Sequence, residues 1–432
     1  MREPGAFTIK RFSALALTTA LVMSSVVYGA DQPAAETTAP ASDRITLVEN
    51  GLNAATTKAL NQSASAAFAE TSAPGAVMAV KTAEGTWVAT LGYEDWARTV
   101  PMAADVNQRI GSVTKTFTVT ALLQLAERGA LSLDDPIETY VPGMPNGRAT
   151  LAQLAEMRSG IPSYTFNQSF QDALFADPDT PWTPQQLVDL VKQDAPLFPP
   201  GEMVFYSNTN LVLLGMVIEQ VTAKPIEKVL AEQILKPLGL DHTLMPTDAT
   251  FAEPHARGYT LQGVKGRQPV DATDWNPSWG WTAGAMISSF NDLLVWGEAL
   301  GTGKGILSAA TQAKRLASFD LSVPIYLGPD ARAPQTPTRA YGMGLARALD
   351  WYGHEGELPG FNTEVQHYKP KGITLVVMVN TDIVSGQTCA EGQPTVPGNS
   401  GVGPCQSAAS RIAQALAAAL GHPMVEPNAA AE

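Results

Sequence analysis

Hydrophobic positions fall into two patterns along this chain. Ala76-Val77-Met78-Ala79-Val80 and Trp87-Val88-Ala89-Thr90-Leu91 are short apolar runs joined at Glu84-Gly85. Runs of that length, bounded by turn residues, predict the two strands of a hairpin. The same signal returns late, at Thr363 to Tyr368 and at Ile373 to Asn380, where Leu375-Val376-Val377-Met378-Val379 reads as a buried strand. Between and around these runs the pattern is helical. Residues 46 to 70 are rich in Ala and Leu and end before Pro74-Gly75; Phe117 to Leu125 is closed by Arg128-Gly129; Leu211 to Val221 and the Ala-rich run 408 to 420 complete the set. From about 130 to 275 short helical stretches alternate with Pro-rich loops. Strand-forming ends around a helical middle predict an α/β (α+β) chain. Its antiparallel sheet is formed from both chain ends and flanked by helices, with an inserted, mainly helical lobe at about 110–275 and the active site in the cleft between them.

The ends carry their own signals. Arg2, Lys10 and Arg11 precede an apolar run from Phe12 to Val27, with small residues at Gly29 and Ala30. That order predicts an export signal over 1–30, a flexible linker over 31–42, one large domain over 43–422 and a disordered tail over 423–432. Export to a periplasm or out of the cell follows, with no stable membrane span after cleavage. The only cysteines, Cys389 and Cys405, flank a Gly/Pro-rich stretch, and in an exported chain they are expected to form one disulfide.

Composition narrows the function. Of 432 residues 45% are hydrophobic, enough for a large core, and the formal net charge of −13 argues against a nucleic-acid partner. The five histidines are scattered, with no HExxH and no paired-cysteine spacing, so neither a metal nor a cofactor is expected. The Gly-rich stretch at 398–403 lacks the lysine of a phosphate loop, and no Gly-x-Ser-x-Gly occurs.

Candidate chemistry lies in three short motifs: Ser112-Val113-Thr114-Lys115, Tyr206-Ser207-Asn208 and His354-Glu355-Gly356. On a helix, positions i and i+3 share a face, so the Lys115 ammonium can reach the Ser112 hydroxyl. A serine hydroxyl needs a neighbouring base, which a desolvated lysine or a lysine–tyrosine pair supplies. Tyr206 is the expected partner and the acid for the leaving group. Ser-x-x-Lys by itself is expected about once by chance in a chain this long. Taken locally, Ser112 also suits a helix N-cap, Lys115 a solvated side chain and Tyr206 a half-buried aromatic.

These motifs resemble those of the penicillin-binding, serine β-lactamase-like family, and in particular its D-alanyl-D-alanine carboxypeptidase and class C-related branch. The similarity extends to Arg109-Ile110-Gly111, to Met157 through Tyr164, to Pro200-Gly201, to Tyr341 through Leu345 and to Gly353 through Phe361. What the resemblance implies is a transient acyl-enzyme on Ser112, made with Lys115 and Tyr206. Asn208 would bond both the substrate amide and Lys115. The Ser112 and Glu357 amides, the latter on an edge strand, would form the oxyanion hole. His354 would lend a donor or a positive charge near the tyrosine, and Gly356 completes the third motif. Glu355 departs from the threonine or serine usual there, so a substrate carboxylate would meet repulsion unless Glu355 is protonated, turned away or paired, with Arg347 the candidate cation. The expected substrates are small molecules, peptides or esters, including peptidoglycan stem peptides and β-lactams. Carboxypeptidase-like peptidase is the first reading. Esterase or amidase activity and a non-catalytic peptidoglycan-binding scaffold are the alternatives.

Overall fold

Along Gly75–Lys81 every side chain but the last is buried, which a strand achieves only when both its faces are covered. The residues divide between two cores: Val77 and Ala79 join one, Ala76, Met78 and Val80 the other. The computed structural model describes residues 45–266, 268–389 and 404–426, so the expected export signal and linker lie outside the described residues.

Eight strands form one antiparallel sheet: β1 (Thr46–Asn50), β2 (Gly75–Lys81), β3 (Thr86–Gly92), β4 (Ala340–Gly342), β5 (Leu345–Ala348), β6 (Trp351–Leu358), β7 (Phe361–Tyr368) and β8 (Ile373–Val379). Their order is β1-β3-β2-β8-β7-β6-β5-β4, so β2 from the start of the chain pairs with β8 from its end along Val80↔Leu375 and its neighbours. Helices α1 (Ala54–Ala69) and α6 (Ala408–Ala419) cover one face through Leu60, Ala64, Ile412 and Leu416. The other face packs on α4 (Phe290–Thr302) and, through Val365, Val376 and Met378, on the core that contains α2 (Thr114–Glu127) and α3 (Asn208–Thr222), while α5 (Ala309–Ala317) lies beside β4. Among the described residues no helix is long and apolar enough to cross a membrane.

Three boundaries differ from the sequence reading. Residues 46–50 are not helical but form the exposed strand β1, paired with β3. The helix starts only after Asn53, whose side chain accepts from Thr56 N. A β-branched, solvent-facing segment gains more from pairing with an open sheet edge than from extending a helix. The helix carrying Lys115 begins three residues before Phe117, at Thr114. At the far end Met424 is 5% exposed and packs with α1 and α6, so the folded chain runs past residue 422 and into what reads as a tail.

Candidate active site

Ser112 lies in a single 3₁₀ turn, Gly111–Val113, that runs directly into α2. Lys115, one turn on, is wholly buried. Its Nζ is 2.7 Å from Ser112 Oγ and 2.7 Å from the carbonyl oxygen of Ala283, to which it can only donate. No carboxylate pairs with it among the described residues, and burial holds its pKa well below the ordinary lysine value.

Tyr206 reaches the same point from the opposite wall. Its loop is pinned by backbone bonds from Gly201 N to Arg158 O and from Phe205 N to Met157 O, and by Ser207 Oγ donating to Pro162 O. The Met157–Tyr164 segment therefore acts as the cradle of this loop. Lys115 Nζ sits 4.8 Å from the centre of the Tyr206 ring. The residue is 38% exposed at the cleft, while its hydroxyl is hydrogen-bonded with Ser112. Burial drives the phenol pKa well above its ordinary value, the neighbouring Tyr341 adds to this, and the Ser112 hydroxyl opposes it.

Strand β6 brings the third motif alongside. The turn Pro359-Gly360 makes Leu358↔Phe361 the closing pair with β7, so by ladder alternation the Glu357 N–H faces away from β7. On that outer side β5 pairs only with Trp351, Tyr352 and Gly353, leaving 354–358 open toward Ser112. The approach is close enough to demand glycine on both sides. Gly111 has φ +51°, and a Cβ there would lie 2.4 Å from Glu357 N; a Cβ at Gly356 would lie 1.9 Å from Ile110 O. The Ser112 and Glu357 amides thus flank one small space beside the hydroxyl.

His354 is buried, and its Nδ1 faces the backbone carbonyl of Glu355, which can only accept. Nδ1 therefore carries the proton, and Nε2 accepts from Tyr341 Oη at 3.1 Å. Burial pushes the imidazole pKa down to about 3. His354 is neutral here, so the expected positive charge near the tyrosine is corrected to a polarised, uncharged ring. Tyr341, in edge-to-face contact with both Tyr206 and His354, was visible in the sequence only as part of a matching stretch.

Other expectations are also revised. Asn208 Nδ2 donates to Thr165 Oγ1 at 3.3 Å instead of forming the expected bond to Lys115, whose Nζ lies against Ser112 Oγ and Ala283 O. Arg347 does not pair with Glu355. Its Nε donates to Leu349 O and its guanidinium lies over the Tyr352 ring. The register partner of Arg347 is Tyr352, which alternation places on the sheet face opposite Glu355. Glu355 is turned toward α6, accepting from Ser407 Oγ at 3.1 Å and Asn362 Nδ2 at 3.4 Å. Cys389 and Cys405 are joined in a disulfide, as the sequence suggested.

Ser112, Tyr206, Asn208, Arg347, His354, Glu355 and Glu357 all border one cleft of about 1360 Å³. One wall is apolar and aromatic, with Phe170, Leu174, Phe175 and Trp279; the other carries Glu355, Glu357 and Asp382. Among the described residues no group of side chains is arranged to hold a metal ion. The site is equipped for acyl transfer: a hydroxyl, a buried amine of lowered pKa against it, a phenol of raised pKa and two backbone amides close by.

The family model described as Beta-lactamase matches residues 55–391. A D-stereospecific amidohydrolase from Streptomyces sp. is 33% identical, covering 77% of this chain and 95% of that one at a TM-score of 0.65. The D-amino acid amidase from Ochrobactrum anthropi SV3, complexed with D-phenylalanine, is 25% identical over 85% of this chain and 99% of its own, at a TM-score of 0.68. The octameric penicillin-binding protein homologue from Pyrococcus abyssi is 25% identical over 84% and 77%, at a TM-score of 0.65.

Proposed function

Because the chain belongs to the Beta-lactamase family of serine hydrolases, we propose that it cleaves amide and ester bonds of small D-amino-acid derivatives through an acyl-enzyme on Ser112. The observation that carries this reading is the buried Lys115 amine 2.7 Å from Ser112 Oγ, its pKa held well below the ordinary lysine value by burial. With one N–H committed to Ala283 O, its lone pair can face the serine hydroxyl. As Ser112 Oγ bonds to the substrate carbonyl carbon, its proton passes to Lys115 Nζ. The carbonyl oxygen becomes an oxyanion held by the Ser112 and Glu357 amides, each worth about 3 kcal/mol in the transition state. Tyr206, still protonated because its pKa is raised, gives its proton to the leaving nitrogen as the C–N bond breaks, and Lys115 returns the serine's proton to the phenol. Water then attacks the acyl-enzyme by the same route in reverse.

Two features support amides over peptides ending in a free carboxylate. The amidase neighbours act on or bind compounds of that class by their names. The wall beside the third motif is acidic, and Arg347 is occupied by Leu349 O. A D-alanyl-D-alanine carboxypeptidase is the second reading, favoured by Arg339, which is exposed on the cleft lining and could meet a carboxylate. The basic-then-apolar start at 1–30 and the Cys389–Cys405 bridge support export to an oxidising compartment.

The test is a substrate panel of D-phenylalanine amide, p-nitrophenyl acetate, nitrocefin and a peptide ending in D-Ala-D-Ala, with Ser112→Ala beside wild type. Serine-dependent release of ammonia from the amide, faster than release of D-alanine, is the expected result. D-alanine release as the dominant activity would transfer the assignment to carboxypeptidase. Turnover that survives Ser112→Ala, or none at all, would remove the acyl-enzyme.

A further inference from the structure

The acidic wall extends past the reacting centre and around the end of the sheet. Glu355, Glu357, Glu364 and Asp382 all line the cleft, and none forms an ion pair within the described residues. Glu355 and Glu364 are register partners on β6 and β7, so their side chains rise from the same face, with Cβ atoms about 5 Å apart. Two like charges placed directly opposite are destabilising unless something offsets them. The α6 hydroxyls do so only in part, Ser407 donating to Glu355 Oε1 at 3.1 Å and Ser410 to Glu364 Oε2 at 2.7 Å.

Beside this pair is an acceptor with nothing to accept. Gln366, two residues beyond Glu364 and on the same face, is 5% exposed. Its Nε2 donates to Glu364 Oε1 at 2.6 Å, while its Oε1 is buried without a partner. Its register neighbour is Gly353, where a Cβ would lie 2.9 Å from Gln366 Oε1, so the missing side chain keeps room above the strand. A buried carbonyl oxygen left unpaired costs about 1–3 kcal/mol, a cost a donor arriving from the cleft would remove. Burial and the Glu355 charge also raise the Glu364 pKa, to about 7, as expected for a carboxyl whose cation is missing.

We propose that Glu355, Glu364 and Gln366 form a subsite for a primary ammonium group that the substrate carries at a distance from its scissile bond. An ammonium has three N–H donors and no acceptor, matching two carboxylates and one amide oxygen. The inference rests on the serine-hydrolase reading and adds to it the charge of the substrate's far end.

Two pairs of probes test it. One is the p-nitrophenyl ester of 6-aminohexanoic acid against its N-acetyl form; the other is the N-(5-aminopentyl) amide of D-phenylalanine against its N-acetyl form. They place the ammonium on the acyl and the leaving side respectively. In at least one pair kcat/KM for the free amine should exceed the acetylated form about tenfold or more, the scale of a charge-assisted hydrogen bond. Within each variant the ratio should collapse toward one in Glu364→Gln and in Gln366→Leu; the latter suffices where the former does not fold. A ratio near one in wild type, or a preference that persists in both variants, overturns the subsite. Calorimetric titration of n-pentylammonium chloride reads the subsite without turnover. Binding weaker by about tenfold in Gln366→Leu is expected, and equal binding would contradict the proposal. Loss of acetyl-substrate hydrolysis in Ser112→Ala concerns only the underlying reading, so the two can fail separately.

Discussion

At the scale of single residues, the proposed chemistry depends on keeping Lys115 uncharged. Among the described residues no carboxylate pairs with it, and burial lowers its pKa. A lysine with a lowered pKa is protonated, and useless as a base, below that value and free above it. kcat/KM should therefore rise with pH along an acid limb and then hold. A profile on a neutral ester that stays flat down to the pH at which the protein unfolds would rule Lys115 out as the base. Lys115→Ala should lose about 10³-fold in acylation rate while its circular dichroism stays that of wild type. Tyr206 invites a sharper test. Its raised pKa makes it a proton donor, which an amine leaving group requires and a p-nitrophenolate does not. Tyr206→Phe should therefore slow D-phenylalanine amide hydrolysis about 10²-fold more than p-nitrophenyl acetate hydrolysis. Equal losses on both substrates would relocate the acid. Residue types and the three-residue spacing make Ser112 and Lys115 legible in the sequence. The lowered pKa values of Lys115 and His354 are not, because burial sets them, and the Lys115 site is closed by residues such as Ala283, 168 positions away.

At the scale of elements, the site is the junction of a helix start with the open half of a strand. Gly111 and Gly356 let the Ser112 turn and β6 approach within backbone contact. Gly356→Ala should push β6 away from Ser112 and misplace the Glu357 amide, lowering kcat about 10²-fold. Steady-state kinetics with thermal unfolding measures this, and an unchanged kcat would mean that β6 does not supply the oxyanion donor. The buried runs of β2, β3, β7 and β8 are plain in the sequence because both faces of the sheet are covered. β1 is not, since all five of its side chains are exposed and only its pairing with β3 makes it a strand.

At the scale of the molecule, α6 closes one side of the sheet by resting its first turn on the Glu355–Glu364 pair and on Asn362, whose Oδ1 accepts from Ala409 N. Glu364 has its folded-state pKa raised to about 7, against about 4.3 for an unperturbed glutamate. The folded state therefore holds a proton that the unfolded chain has released between those values. This contribution to stability is fully present below about pH 4 and is lost as pH rises through about 7. Part of any stability difference between pH 5 and pH 8 thus belongs to Glu364. Urea unfolding at the two values should show that difference shift by about 2 kcal/mol in Glu364→Gln, which cannot titrate. No change in the difference would show that Glu364 is ionised at both.

The sequence by itself determined the quantities that depend on near neighbours: which segments bury both faces, where α2 and α3 run, and that Ser112 and Lys115 share one turn. It also indicated that the two ends of the chain build one sheet, because each supplies strands that cannot bury both faces alone. Tertiary structure decided what depends on distant neighbours. Ser407 turns Glu355 toward α6, Ala283 holds Lys115, Thr165 takes Asn208, and Met424 joins the core shared with α1 and α6. Direction and charge of a side chain follow from the dielectric and the partners around it, and those are assembled only when separate elements of the chain meet.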